Sequence, residues 1–165
     1  MTEYLVTTFK NDVLVSIKGL AVYTTCNDFA KFLEVIGKDE NYKKLIVDFN
    51  ECTGVDSTLL GLLTQAANDM RERGAELILQ RANKRIEEVI INLGLEILAT
   101  VLKGGITHAG TDEILSSGTQ SSREASPADN ATILAAHESL IETSNENAQK
   151  FKQIVEFMRA DLGLK

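Results

Sequence analysis

Asp56-Ser57-Thr58 sets two hydroxyls directly behind a carboxylate, at the junction between a strand-like run, "KLIVDF", and a helical one, "LLGLLTQAANDM". An Asp at that junction is a favoured N-cap, because its oxygen accepts a hydrogen bond from the helix's first free amides. A helix N-terminus also tolerates a phosphate, so Ser57 could carry a phosphoryl group as well as open a helix. Asp48, late in the preceding strand, is a second candidate acceptor. A receiver-type aspartate would need an acidic pair after the first strand to hold magnesium, and the corresponding runs end in Phe9-Lys10 and Lys18-Gly19. Cys26, Cys52, His108 and His137 are the remaining reactive side chains. No motif joins either histidine to either cysteine, and the two thiols have neither redox nor metal-binding spacing. Gly104-Gly105 lacks the spacing and the Lys-Ser/Thr of a phosphate-binding loop. The residues therefore assign no catalytic group, no metal ligands and no cofactor, and the chain is expected not to be an enzyme.

The elements that would position Ser57 follow from periodicity. "YLVTTFK" and "DVLVSIKG" are β-rich runs around Asn11-Asp12, a hairpin signal. Thr25 or Asn27 could cap "DFAKFLEVIG", whose Phe29, Phe32, Leu33 and Ile36 recur at helical intervals, with Gly37 ending the run. The strand "KLIVDF" comes next, then a polar turn with Gly54, and a helix from Ser57 to about Arg73. "AELILQR" predicts a strand, Asn83 caps "KRIEEVIINL", and "LEILATVLK" predicts a last strand before a short helix. Two strands followed by helix–strand alternation imply an α/β domain with a mixed sheet, parallel apart from its opening hairpin.

The chain has 165 residues, 44% of them hydrophobic, enough for one domain of ordinary core size and an appendage. The formal net charge of -7 argues against nucleic acid, which needs clustered Lys and Arg. No apolar run is long enough to cross a bilayer, so no membrane insertion is expected. "MTEYL" does not read as a signal peptide, and with unpaired thiols this gives a cytoplasmic expectation. Residues 116–129, "SSGTQSSREASPAD", are small and polar and read as a flexible linker. Residues 130–165 read as a long amphipathic helix with a possible break near Thr143-Ser144. Leu134, His137, Ile141, Ser144, Ala148, Phe151, Val155, Met158 and Leu162 lie alternately three and four apart. A single apolar stripe must be packed against something, whether its own domain, a second copy or a partner. The spacing favours a homodimer through this helix, with docking onto the domain as the competing outcome.

Residues 3–115 resemble the STAS domain, the sulphate-transporter and anti-sigma-factor-antagonist family. The resemblance is carried by the opening strand pair ending "IKG", the strand "KLIVDF", the signature-like "GVDSTLLGLL", and "ANKRIEEVIINLGLEILATV". The family motif is Asp-Ser-Ser-Gly-Leu opening a helix. Asp56 and Ser57 match its first two positions, Thr58 stands for the second Ser, Leu59 replaces the Gly, and Leu60 matches the Leu. The chain also has Gly19-Leu20-Ala21-Val22 where the family often carries an acidic residue after the second-strand Gly. The resemblance implies a STAS-like domain over 1–115 and a non-enzymatic switch. Ser57 would be phosphorylated by a partner serine kinase that is itself the anti-sigma factor, with Thr24, Thr53, Asp56, Ser57 and Thr58 contacting that partner. An unphosphorylated adaptor in a transporter or sensory complex is the alternative the family offers.

Overall fold

A computed structural model describes residues 1–164. Strands β1 (Glu3–Phe9) and β2 (Asp12–Ala21) form an antiparallel hairpin, with Lys10 in the turn at positive φ. The chain continues through α1 (Asn27–Lys38), β3 (Lys44–Val55), α2 (Ser57–Glu72), β4 (Glu76–Gln80) and α3 (Lys84–Asn92). A 3-10 turn at Leu95–Ile97 then leads to β5 (Thr100–Leu102), α4 (Thr111–Ser117), β6 (Thr119–Glu124), α5 (Asn130–Thr143) and α6 (Asn145–Asp161). The sheet order is β5-β4-β3-β2-β1-β6. β2 through β5 are parallel, while β1 runs antiparallel to both β2 and β6.

Alternation along the strands divides the apolar side chains between the two faces of the sheet. Val13, Val15 and Ile17 of β2, Leu45, Val47 and Phe49 of β3, and Leu77 and Leu79 of β4 enter the main core. Phe29, Phe32, Leu33 and Ile36 of α1 and Leu59, Leu60 and Leu63 of α2 belong to the same core. The interleaved Leu14, Ile46 and Ile78 point the other way and form a small second cluster with Ile114 of α4. On that second face Asp48, only 2% exposed, is held by Arg81 (Nε 3.1 Å from each carboxylate oxygen), Gln80 Nε2 (3.3 Å) and the Asn50 amide (2.9 Å). Asp48 is thus a buried, fully engaged anchor between β3 and β4. Arg73 similarly clasps the end of α1, donating to the carbonyls of Ile36, Gly37 and Tyr42.

Three sequence expectations change and one is sharpened. The segment 116–129 is not a flexible linker: Thr119–Glu124 forms β6 on the free edge of β1, pairing Thr8 with Thr119 through Glu3 with Glu124. Its side chains are polar because they stay exposed, while the backbone bonds that hold it do not depend on side-chain type. The polar stretch before Asp56 is not a turn but the end of β3, which pairs with the end of β2 as far as Ala21 opposite Val55, through shifts in register. The strand expected from "LEILATVLK" shrinks to three residues, its first part being the 3-10 turn. The possible break in the C-terminal helix near Thr143-Ser144 is real: Ser144 adopts extended φ and ψ and caps α6 by accepting from the Asn147 amide, so the helix is two.

The two C-terminal helices pack on the domain itself. Ala136 and Leu140 of α5 join the main core with Leu60 and Leu63 of α2. Gly61 makes this contact close, since a Cβ there would lie 2.2 Å from the Ala136 carbonyl oxygen. The part of the seam expected to pair with a second copy is therefore spent internally as far as α5 is concerned. Docking of α5 is favoured because α2 offers a continuous apolar surface at high effective concentration, joined by a strand rather than by a loose tether.

Candidate functional site

The site is the N-terminus of α2 with the three segments around it. Asp56 is the N-cap, in extended conformation, and its two carboxylate oxygens have separate tasks. Oδ1 accepts from the Leu59 amide at 2.9 Å, and Oδ2 accepts from the Tyr23 amide at 2.9 Å. One carboxylate thus starts α2 and also fixes the turn after β2. Thr25 closes that turn: its Oγ1 accepts from the Val22 amide at 3.0 Å, with the Leu20 carbonyl 2.9 Å away. Leu20 and Tyr23 stand exposed beside it. Thr24 and Thr53 are exposed on the adjoining segments, whereas Asp56 and Ser57 are half-buried. Thr58 is only 3% exposed, so of the five expected partner-contacting residues its side chain faces inward instead.

Ser57 is the first residue of α2. Its Oγ lies 2.9 Å from Nε2 of His137, a residue of α5 that is 80 positions away and 4% exposed. His137 Nδ1 is 2.8 Å from the Ile133 carbonyl oxygen, which can only accept. In the neutral ring Nδ1 therefore carries the proton, Nε2 is the acceptor, and Ser57 donates. The imidazole also meets the edge of Phe151 from α6, with centroids 5.4 Å apart and planes at 70°. Sequence reasoning placed Ser57 at a helix N-terminus near the surface and His137 on the apolar stripe of the tail, but it did not join them. The available signal was a lone imidazole among Leu134, Ile141 and Ala148, where a buried polar group needs a partner.

The other reactive groups are not assembled into a centre. His108 sits on the second face of the sheet, its Nε2 3.3 Å from Lys44 Nζ, and its amide bonds Gln80. Cys26 and Cys52 are free and buried. Burial, and secondarily the Asp56 carboxylate, pushes the Cys26 thiol from 9.0 up to about 12, and burial raises Cys52 as well. Both thiols should resist a disulfide reagent at pH 8 in the folded chain and react once it is denatured. Between about 9 and 12 the unfolded Cys26 loses its proton while the folded one keeps it, so stability falls as pH rises through that window. Urea midpoints measured across the window check this, and Cys26→Ala should flatten part of the decline. Burial raises the Tyr4 phenol too, which acts in the same direction. Among the described residues, no group of three or more His, Cys, Asp or Glu side chains is placed to hold a metal ion, and no helix is long and apolar enough to cross a membrane.

Comparisons with known proteins agree with this architecture. No curated protein matches the chain in sequence. SpoIIAA, a Bacillus cell-fate determinant solved in its phosphorylated form, is similar in fold with a TM-score of 0.54 at 12% identity. That match spans 68% of this chain and 98% of the other. A proposed anti-sigma factor antagonist from Thermotoga maritima gives a TM-score of 0.55 at 15% identity, covering 67% and 92% of the two chains. The STAS domain profile matches residues 4–103, from β1 through β5 and across the whole Asp56-Ser57 junction. The chain belongs to the STAS domain family.

Proposed function

We propose that this chain is a cytoplasmic, non-enzymatic bacterial anti-sigma factor antagonist or a closely related STAS regulator. It binds an anti-sigma serine kinase and is switched by phosphorylation of Ser57. The observation that carries this reading is the position of Ser57 as the first residue of α2, behind an Asp56 cap that also fixes the neighbouring turn. The fold neighbour solved in a phosphorylated form and the neighbour described as an anti-sigma factor antagonist support it. Leu20, Tyr23, Thr24 and Thr53 supply an exposed apolar and hydroxyl rim around Asp56 and Ser57 that suits a protein partner.

The switch is electrostatic. A phosphoserine adds about -1.5 to -2 charges beside the carboxylate of Asp56, and an interface that covers this spot must then meet like charges. Incubation with ATP and the cognate serine kinase should add one phosphate, located at Ser57 by intact mass and fragmentation. Ser57→Ala should bind the partner constitutively, and Ser57→Asp should bind on the order of tenfold more weakly or worse. Equal binding by both variants, together with no phosphate at Ser57, would leave the second reading, an unphosphorylated adaptor in a larger complex. The hydrogen bond from Ser57 to a buried imidazole is what favours that alternative, since it must be broken before the serine is modified.

A further inference from the structure

The two readings meet at one feature, the coverage of Ser57 by the C-terminal helices. Three independent contacts hold that cover in place. His137 of α5 accepts the Ser57 hydroxyl at 2.9 Å. Gly61, one turn along α2, admits the Ala136 backbone to a distance that no side chain would allow. Finally, α6 fastens α5 from behind, through Phe151 against the imidazole, Arg159 Nη1 to Glu138 at 2.9 Å, and Asn147 Nδ2 to the Leu93 carbonyl at 2.8 Å. We propose that α5 and α6 form a cis-acting cap on Ser57, such that the docked cap and a phosphorylated Ser57 exclude one another. This inference rests on Ser57 being the phosphoacceptor.

The exclusion is chemical as well as steric. A kinase moves the γ-phosphoryl group of a nucleoside triphosphate to Ser57 Oγ. The new Oγ–P bond forms, the bond from that phosphorus to the β–γ bridging oxygen breaks, and the nucleoside diphosphate leaves with the electron pair. The hydroxyl proton passes to a base on the kinase. In the docked state that hydroxyl is bonded to Nε2 of the buried His137, which closes one side of a serine that is itself half-buried. After transfer Oγ is an ester oxygen without a proton, so the bond to Nε2 is lost. With Oγ 2.9 Å from Nε2, a phosphoryl group attached to it in this rotamer would overlap the imidazole. The carboxylate of Asp56, which caps the same helix, lies beside that anion and repels it. Linkage makes the coupling reciprocal: whatever lifts α5 eases modification of Ser57, and modification releases α5 and bares the face of α2.

The docking arm of the test needs no kinase. Full-length chain is made with phosphoserine installed during translation in place of Ser57, and hydrogen exchange is followed across residues 130–143. Gly61→Ala serves as the undocked reference, because its single added methyl collides with the Ala136 carbonyl while favouring helix formation in α2. Ser57→Ala reports loss of the hydrogen bond alone. The expected result is that amide exchange in α5 rises about tenfold or more in both the phosphoserine protein and Gly61→Ala, and by less in Ser57→Ala, while β2 and β3 stay protected. Undiminished protection of α5 in the phosphoserine protein would overturn the cap. A cognate kinase that leaves Ser57 unmodified even in Gly61→Ala would overturn the phosphoacceptor reading instead, so the two failures are distinguishable.

Discussion

Leu140→Ala is expected to destabilise the chain by about 2–5 kcal/mol, the range for truncating a fully buried leucine. Leu140 is a residue of the tail, yet it is fully buried in the same core as Leu60 and Leu63 of α2. If the tail served only to pair two chains, the same substitution would weaken a dimer and leave the domain intact. The measurement is urea unfolding combined with sedimentation at low and high protein concentration. A lower midpoint that does not depend on concentration is the expected outcome. A fall in m-value alongside it would show α5 leaving before the sheet unfolds, which is how a cap should behave. A midpoint equal to that of the unaltered chain, together with a concentration-dependent mass, would return the tail to the role of a dimerisation element. Ile154 and Phe157 of α6 are exposed, and their truncation should be close to neutral in this assay.

Phe29→Ala is expected to cost about 3–5 kcal/mol. The ring is fully buried where α1 crosses β1, stacked on Tyr4 with centroids 4.6 Å apart and 12° between planes, and it lies 6.2 Å from Phe32. Its removal leaves a cavity between a helix and a sheet that cannot close without moving both, and forfeits the stacking energy as well. For a chain of this size the melting temperature should fall by about 6–20 °C, read by calorimetry. Phe29→Leu should recover much of the loss by filling volume without restoring the stack. The cavity would lie close to Cys26 and to the Thr25 turn, and Tyr4 reaches toward Thr25 Oγ1 at 3.5 Å. Weaker partner binding by Phe29→Ala well below its melting temperature would therefore indicate a loosened Tyr23–Asp56 turn. A melting temperature within a degree or two of the unaltered chain would contradict the core described here.

The sequence by itself determined what depends on local pattern. The β-rich apolar runs in "DVLVSIKG" and "KLIVDF" marked the strands, and helical spacing in "DFAKFLEVIG" and "LLGLLTQAANDM" set the faces of α1 and α2. Asp56 and Asn83 were legible as caps because the capping bond spans only three residues, from Asp56 to the Leu59 amide and from Asn83 to the Ile86 amide. Ser57 was legible as a candidate from its place behind Asp56 and from the STAS motif around it. At the start of α1 the same reasoning named Thr25 or Asn27, but Cys26 holds the cap position without a side-chain bond, and Thr25 bonds within the preceding turn.

Tertiary structure decided everything that depends on which edge or face was vacant. "TQSSRE" carries no strand signal in its side chains, but the open edge of β1 needed backbone partners and that segment was within reach. The last six residues of β3 are extended because β2 continues alongside them, a long-range pairing that no local composition encodes. The stripe from Leu134 to Leu162 was compatible with a second copy or with the chain's own domain, since an apolar face specifies burial and not its partner. For the α5 part of that stripe Gly61 favours the chain's own domain, because a missing Cβ in the middle of α2 lets α5 approach to backbone contact. That approach in turn brings His137 onto Ser57 across 80 residues of chain, so the site exists only once the fold is complete.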